Sequence, residues 1–322
     1  MDKYSFLVTG AQGCIGSWVI KNLLERGHDV TAFDLDDRPV RISLLLTPEQ
    51  LHKVHFVSGD INNFELIRGL IDQRSITHVI HLAGLMTPDC KANPVLGATV
   101  NILGALTIFE AVKACKEQIR CVAYASSGAV MGLDGQYDSH PIKDDASRIP
   151  STLYGVFKTT TEDCARIYWQ DEGIRSVGLR PPVVYGPGRD RGLTAGVTLA
   201  IKAALLGQAC EIGFGGPANM AFVDDVARGF VLCALKEPDG APAFNMLGEV
   251  LDVAQMIRMI EELFPAVRGV ITCLETRNAM VNLVDDSGIQ TLIGPFPRTS
   301  FREGVARTVD FFRNLLAKGR LS

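Results

Sequence analysis

The sequence predicts an α/β fold: a doubly wound, mostly parallel sheet joined to a smaller C-terminal α+β unit. Two observations predict it. From the first residues onward, short apolar runs alternate with longer segments of helical spacing, and a glycine-rich turn stands where the first run meets the first helical segment. Runs that are apolar on both faces belong to strands covered by helices on either side, which is the setting of parallel sheets.

The strand runs fall at residues 4–9, 29–33, 54–57, 78–81, 120–125 and 176–179, and the helical segments at 15–26, 64–73, 95–116 and 152–172. Each strand–helix–strand step has room for a right-handed crossover. After Arg180 the rhythm changes: a Pro/Gly-rich stretch covers 181–192, a helical segment follows at 193–206, and Gly215-Gly216-Pro217 makes a turn. The expected organisation is a first unit over residues 1–180 and a second over 181–322. A helix–strand pair at 224–235 and 243–247 is expected to return to the first sheet, so that residues 220–250 rejoin the first unit.

Apolar residues make up 47% and charged residues 21% of the 322 positions, which is too apolar for a disordered chain. The net charge of −4, with no run of Lys and Arg, argues against a nucleic-acid partner. None of the eight cysteines forms a C-x-x-C pair and most lie in apolar stretches, so they read as free thiols in a reducing compartment. The apolar stretch 4–20 is interrupted by glycines and lacks a basic leader, unlike a signal peptide. No run reaches the roughly 18 to 20 uninterrupted apolar residues of a membrane span. A cytoplasmic protein without membrane contact is expected.

The turn Gly10-Ala11-Gln12-Gly13-Cys14-Ile15-Gly16 follows the first strand run and opens the first helical segment. That context points to a Rossmann-type dinucleotide site, in which glycines permit a tight turn and the helix start meets the pyrophosphate. Asp34 closes the second strand run, where a carboxylate can accept both adenosine ribose hydroxyls and repel a 2′-phosphate. NAD is therefore expected over NADP, and residues 1–180 read as an NAD-binding domain. Arg38, flanked by Asp36 and Asp37, reads as a solvated loop charge.

Tyr154 and Lys158 stand four apart on a helical segment, hence on one face, and Ser126-Ser127 closes the strand run one β-α step earlier. Oxidation of a hydroxyl needs a base for its proton, whereas a free phenol, with a pKa of about 10, is protonated at neutral pH. Lys158, helped by a positive nicotinamide, is expected to lower that value; three pH units correspond to roughly 4 kcal/mol. Ser127 would hold the substrate oxygen near the phenol and the cofactor.

With these residues together, the chain resembles the extended short-chain dehydrogenase/reductase family, of the NAD-dependent epimerase/dehydratase type. The markers are Gly10-x-x-Gly13-x-x-Gly16, Asp60-Ile61, His81-Leu82-Ala83-Gly84, Asn101, Tyr124-Ala125-Ser126-Ser127, Tyr154-x-x-x-Lys158 and Arg180-Pro181-Pro182-Val183-Val184-Tyr185-Gly186-Pro187. The resemblance implies that Asp60 and Ile61 meet the adenine, that Ala83 and Gly84 line the cofactor cleft, and that Lys158 also holds the nicotinamide ribose. It also assigns Leu82, Asn101, Pro181, Val183 and Val184 to the cofactor's surroundings, and implies a homodimer through the segments 95–116 and 152–172. Departures from the family pattern are Cys14, Met131 and Phe157, and more tellingly Val183 and Ala218, where nucleotide-sugar members carry an asparagine and an arginine for the substrate diphosphate. These last two argue against a nucleotide-sugar substrate.

Candidate substrate contacts are Leu85, Met86 and Thr87 after the fourth strand, Ser127 and Gly128, Pro182, and the loop 188–194 with Arg189, Arg191 and Thr194, whose guanidinium groups can clamp an anion. Arg277 is a weaker candidate. His78 and His81 lie on a strand run and His52 and His55 at a helix–strand junction, so no metal site is expected. The expected activity is hydride transfer at a secondary hydroxyl or carbonyl carbon of a small polar substrate, such as a sugar acid or polyol. The alternatives are a sugar or nucleotide-sugar epimerase/dehydratase with internally recycled NAD, and a non-catalytic dinucleotide sensor.

Overall fold

The predicted strand runs assemble into one parallel sheet in the computed structural model, which describes residues 3–36, 38–277, 280–296 and 298–321. They become β1 (Ser5–Thr9), β2 (Asp29–Asp34), β3 (Val54–Ser58), β4 (His78–His81), β5 (Cys121–Ala125) and β6 (Ser176–Arg180), each within one residue of its predicted bounds. Beyond them lie β7 (Val183–Tyr185), β8 (Cys210–Ile212), β9 (Pro217–Phe222), β10 (Ala243–Asn245), β11 (Glu249–Asp252) and β12 (Ile271–Cys273). The main sheet is Rossmann-type, seven-stranded and parallel, in the order β10-β6-β5-β4-β1-β2-β3. The chain runs outward from β1 through β2 to β3, then restarts beside β1 at β4 and runs the other way. The strand order therefore switches between β1 and β4, which opens a crevice at the carboxyl ends of these strands.

Register levels that end of the sheet: Thr9 pairs with Phe33 and His81, His81 with Tyr124, and Ala125 with Leu179. One face is covered by the helices Cys14–Glu25 and Val223–Lys236, whose Trp18, Ile20, Leu23, Val226 and Phe230 join the buried cluster with Phe6, Val8 and Ile80. The other face carries Phe64–Gln73, Gly104–Ala114 and Leu153–Glu172, which pack Ile67, Ile71, Ile108, Phe109 and Ala165 on Leu7, Val79 and Val122. β10 pairs in parallel with β6, so the chain returns to the main sheet after leaving it at β6. A separate core unites the small sheet β11-β9-β7, the pair β12-β8 and the helices Gly196–Leu205, Val253–Leu263 and Phe301–Ala317.

Two predicted helices differ in form. The segment expected as a continuous helix at 95–116 is helical over Pro94–Ala98, π-helical over Thr99–Leu103 and α-helical again over Gly104–Ala114. At its centre the Asn101 side chain donates to the Gly97 carbonyl four residues back at 2.9 Å, competing with the backbone ladder at the point where the helix widens. By length and composition Pro94–Ala114 is apolar enough to cross a membrane, though Asn101, Glu110 and Lys113 interrupt it, and 44% of its most apolar window is buried inside the chain, as in a core helix. The helix expected at 193–206 starts later, at Gly196. The apolar-run pattern assigns nothing after residue 247, where the structure has β11, β12, Val253–Leu263, Ser287–Ile293 and Phe301–Ala317.

Candidate active site

The crevice begins where β1 ends. Gly10 turns the chain at φ +66°, and a Cβ there would stand 2.6 Å from the Ala83 backbone nitrogen. A Cβ on Gly16 would press on the Gly10 carbonyl. Only glycine therefore lets the turn fold over and the helix start come close. The helix Cys14–Glu25 begins without a side-chain cap, so its first N–H groups and its positive dipole end are left for an anion. This cradle fits the pyrophosphate of a dinucleotide.

Asp34 stands at the rim of the turn, its Oδ2 accepting the Gln12 N–H and its Oδ1 the Leu35 N–H, both at 2.8 Å. Arg38 is engaged with Asp36 and is directed to that neighbour. Arg41, which carried no signal in the sequence, donates to the Gln12 carbonyl at 3.0 Å and forms an ion pair with Asp190 at 2.6 Å, joining the turn to the 188–194 loop.

Tyr154 and Lys158 project from the helix Leu153–Glu172, whose start is capped by Thr152 accepting the Gly155 N–H at 3.1 Å. The Lys158 Nζ lies 5.7 Å from the centre of the Tyr154 ring. Ser127 follows β5, buried, and accepts the Ala129 N–H at 3.1 Å. Burial raises the Tyr154 phenol above its ordinary value, opposed by a hydrogen bond with Ser127 and by the charge of Arg189; the nearby Cys90 thiol adds to the rise. Burial also pushes the Lys158 ammonium down to about 8. In the chain by itself Ser127 and Arg189 draw the phenol down and desolvation outweighs them. His81 bonds Thr9 Oγ1 at 2.8 Å, and burial, with the Lys158 charge, pushes it down to about 3, so it is a neutral core histidine.

One cleft of about 490 Å³ brings most of the predicted residues together. Its lining includes Gly10, Gly13, Cys14, Ile15, Gly16, Leu82 and Gly84 of the predicted cofactor residues, Ser127, Tyr154, Lys158, Pro181 and Val184, and the predicted substrate residues Met86, Thr87, Gly128, Pro182, Arg189, Arg191 and Thr194. Arg189 is held by Thr194 Oγ1 at 3.0 Å and Met86 Sδ at 3.5 Å, and its Nε is buried with no partner among the described residues. Arg277 and Ser126 also reach the cleft, as do Phe214 and Met280, which the sequence did not single out; these last two lie in loops without periodicity.

Other predicted residues stand outside its lining. Val183 is buried in the C-terminal core among β7 and β9 neighbours, and Ile61 packs on Gly104. Asn101 spends its amide on the Leu85 and Gly97 carbonyls, with its Oδ1 buried near Gly84. Asp60 is exposed and accepts the Asn62 N–H at 2.9 Å, and Ala83 sits behind Gly84 with its N–H on Thr9 Oγ1. Gln12 and Asp34 form the rim described above. Ala218, like Val183, is wholly inside the C-terminal core, so neither position offers a polar group to the cleft. Among the described residues no three His, Cys, Asp or Glu side chains are grouped to hold a metal ion.

The profile of the NAD dependent epimerase/dehydratase family matches residues 6–247. A UDP-glucose 4-epimerase of Mycolicibacterium smegmatis is 29% identical over 321 residues, covering 96% of this chain and 98% of that protein. The solved structure of MoeE5 in complex with UDP-glucose and NAD is 26% identical, with a TM-score of 0.80 over 97% of this chain and 99% of the other. The UDP-glucose 4-epimerase of Thermotoga maritima, solved with UDP-glucose, shares the fold at a TM-score of 0.83 and 24% identity, over 97% and 99% of the two chains.

Proposed function

The chain belongs to the NAD dependent epimerase/dehydratase family, and from that footing we propose that it epimerises an anionic, nucleotide-linked sugar at a hydroxyl-bearing carbon with internally recycled NAD. The observation that carries the reading is one continuous cleft joining an uncapped glycine-rich helix start to Ser127, Tyr154 and Lys158. Bound NAD supplies the hydride acceptor and donor. Tyr154 exchanges the proton of the substrate hydroxyl, Ser127 orients that hydroxyl, and Lys158 holds the nicotinamide ribose and adds positive charge beside the phenol. Arg189, Arg191 and Arg277 give the remaining walls a positive character suited to a diphosphate.

The sequence by itself favours net oxidation of a small sugar acid or polyol, and one observation still supports that second reading: Val183 and Ala218 withhold polar groups from the cleft. The names of the relatives weigh more heavily for the epimerase. A homodimer is part of the proposal, supported by the exposed apolar Leu103, Val156 and Ile167 on the two long helices, and so is a cytoplasmic address, supported by eight free thiols. The test is to wash the purified protein, release bound nucleotide by denaturation, and assay interconversion of UDP-glucose and UDP-glucuronate with their 4-epimers. Retained NAD and conversion that is lost in Tyr154→Phe are expected. Failure to bind either NAD or NADP contradicts the reading, and NADH released with every round of substrate oxidation favours the second one.

A further inference from the structure

Glu162 lies two helical turns beyond Tyr154 and one beyond Lys158 on the same helix, so the three share a face. It is 5% exposed, and its carboxylate is turned to the ends of the neighbouring strands. Arg180, the last residue of β6, donates to it twice, Nε to Oε1 and Nη2 to Oε2, both at 2.8 Å. Ser126, directly after β5, donates its hydroxyl to Oε1 at 2.5 Å, and Arg148 adds a bond to Oε2 at 3.2 Å.

Each of the two strand-end partners adjoins the cleft. Ser126 precedes Ser127, and Arg180 precedes Pro181, whose carbonyl accepts the Gly128 N–H at 3.0 Å. Ser127 is thereby held on both sides, through Ser126 before it and through Gly128 and Pro181 after it, by groups that converge on one carboxylate. Ser127 is extended, at φ −161° and ψ 151°. Successive side chains of an extended segment point to opposite sides, so anchoring the Ser126 hydroxyl on Glu162 aims the Ser127 hydroxyl the other way.

We propose that Glu162 is a positioning residue of this site, which by clamping Ser126 and Arg180 together sets the Ser127 hydroxyl against Tyr154. Its effect on turnover rests on the functional reading above; its effect on the free chain does not. The Tyr154 phenol faces Ser127, Arg189, Cys90 and Lys158, and of these Ser127 is the group that Glu162 governs.

Carbon-isotope labelling at the tyrosine Cζ reports the hydrogen bonding of each phenol by its chemical shift at neutral pH. Tyr154→Phe identifies the Tyr154 resonance, and Ser127→Ala gives its position without the serine. Glu162→Gln and Ser126→Ala are expected to move the resonance most of the way to that position. In turnover, both are expected to lower kcat by about tenfold or more with KM changed by less than about threefold, since a misplaced group costs rate before affinity. Ser126→Ala removes one hydroxyl and keeps the test alive if Glu162→Gln does not fold. A folded variant of lower thermal midpoint with an unmoved resonance makes Glu162 merely structural and overturns the proposal, as does a Ser127→Ala spectrum identical to the wild type. Absence of any sugar-nucleotide turnover in the wild type removes the functional reading and leaves the resonance comparison to decide this one.

Discussion

Replacing Lys158 with methionine is expected to stabilise the cofactor-free chain while abolishing turnover. Lys158 is 5% exposed, and burial pushes its ammonium from the ordinary 10.5 down to about 8. At about 1.36 kcal/mol per pH unit, the folded chain carries about 3 kcal/mol of destabilisation at neutral pH for keeping this charge out of water. Methionine retains most of the unbranched stem and removes the charge. The pH dependence has a definite sign. Between pH 8 and 10.5 the folded chain has shed a proton that the unfolded chain still holds, so the wild type gains stability as pH rises through that window. Urea unfolding of both proteins, stripped of nucleotide, at about pH 7 and about pH 10 makes the comparison. Lys158→Met should be more stable by up to about 3 kcal/mol near neutrality, with the difference shrinking at the higher pH. A variant less stable than the wild type at neutral pH, or a difference that does not change with pH, refutes the reasoning.

Gly16→Ala places a methyl group against the Gly10 carbonyl and should cost at least about tenfold in NAD affinity, or about 1.4 kcal/mol, in equilibrium dialysis; unchanged affinity contradicts the phosphate cradle. Asp34→Ser removes the carboxylate that now accepts the Gln12 and Leu35 N–H groups, and calorimetry with both nucleotides should find the preference for NAD over NADP reduced by about tenfold or more. Arg189→Ala should raise KM for an anionic substrate by about tenfold or more while a neutral sugar is unaffected, because a charge-assisted hydrogen bond contributes about 1.5–3 kcal/mol. Equal effects on both substrates would assign Arg189 to Tyr154 instead of to substrate.

The sheet was legible because its strands are covered on both faces, which leaves short runs rich in apolar residues, such as Phe6-Leu7-Val8 and Cys121-Val122-Ala123, between segments of helical spacing. Helices Val253–Leu263 and Phe301–Ala317 carry their own start signals, Asp252 with Gln255 and Ser300 with Glu303, but these are cap signals and an apolar-run pattern passes over them. At the site, Ser127, Tyr154 and Lys158 could be read because a strand end and a helical spacing of four place them; Arg41, Phe214 and Met280 could not, because loop residues reach a cleft only through the packing of distant elements. Of the family markers, Gly84 and Val184 line the cleft whereas Asn101, Ile61 and Val183 lie outside its lining, a difference that a motif does not carry. The balance of forces on Tyr154 was also beyond the sequence. Spacing shows that a lysine is near, whereas burial, which sets the direction of the shift, belongs to the folded chain.

The most direct test of the account follows the hydrogen atom at the reacting carbon. UDP-glucose and UDP-glucuronate carrying deuterium on the carbinol carbon that inverts are incubated with the washed protein, and the products are separated and weighed by mass spectrometry while nicotinamide absorbance is recorded. Epimerisation by recycled NAD gives the epimer with its deuterium retained, no accumulating NADH, and no product from Tyr154→Phe. NADH accumulating in step with an oxidised sugar, or an epimer formed equally well by Tyr154→Phe, contradicts it.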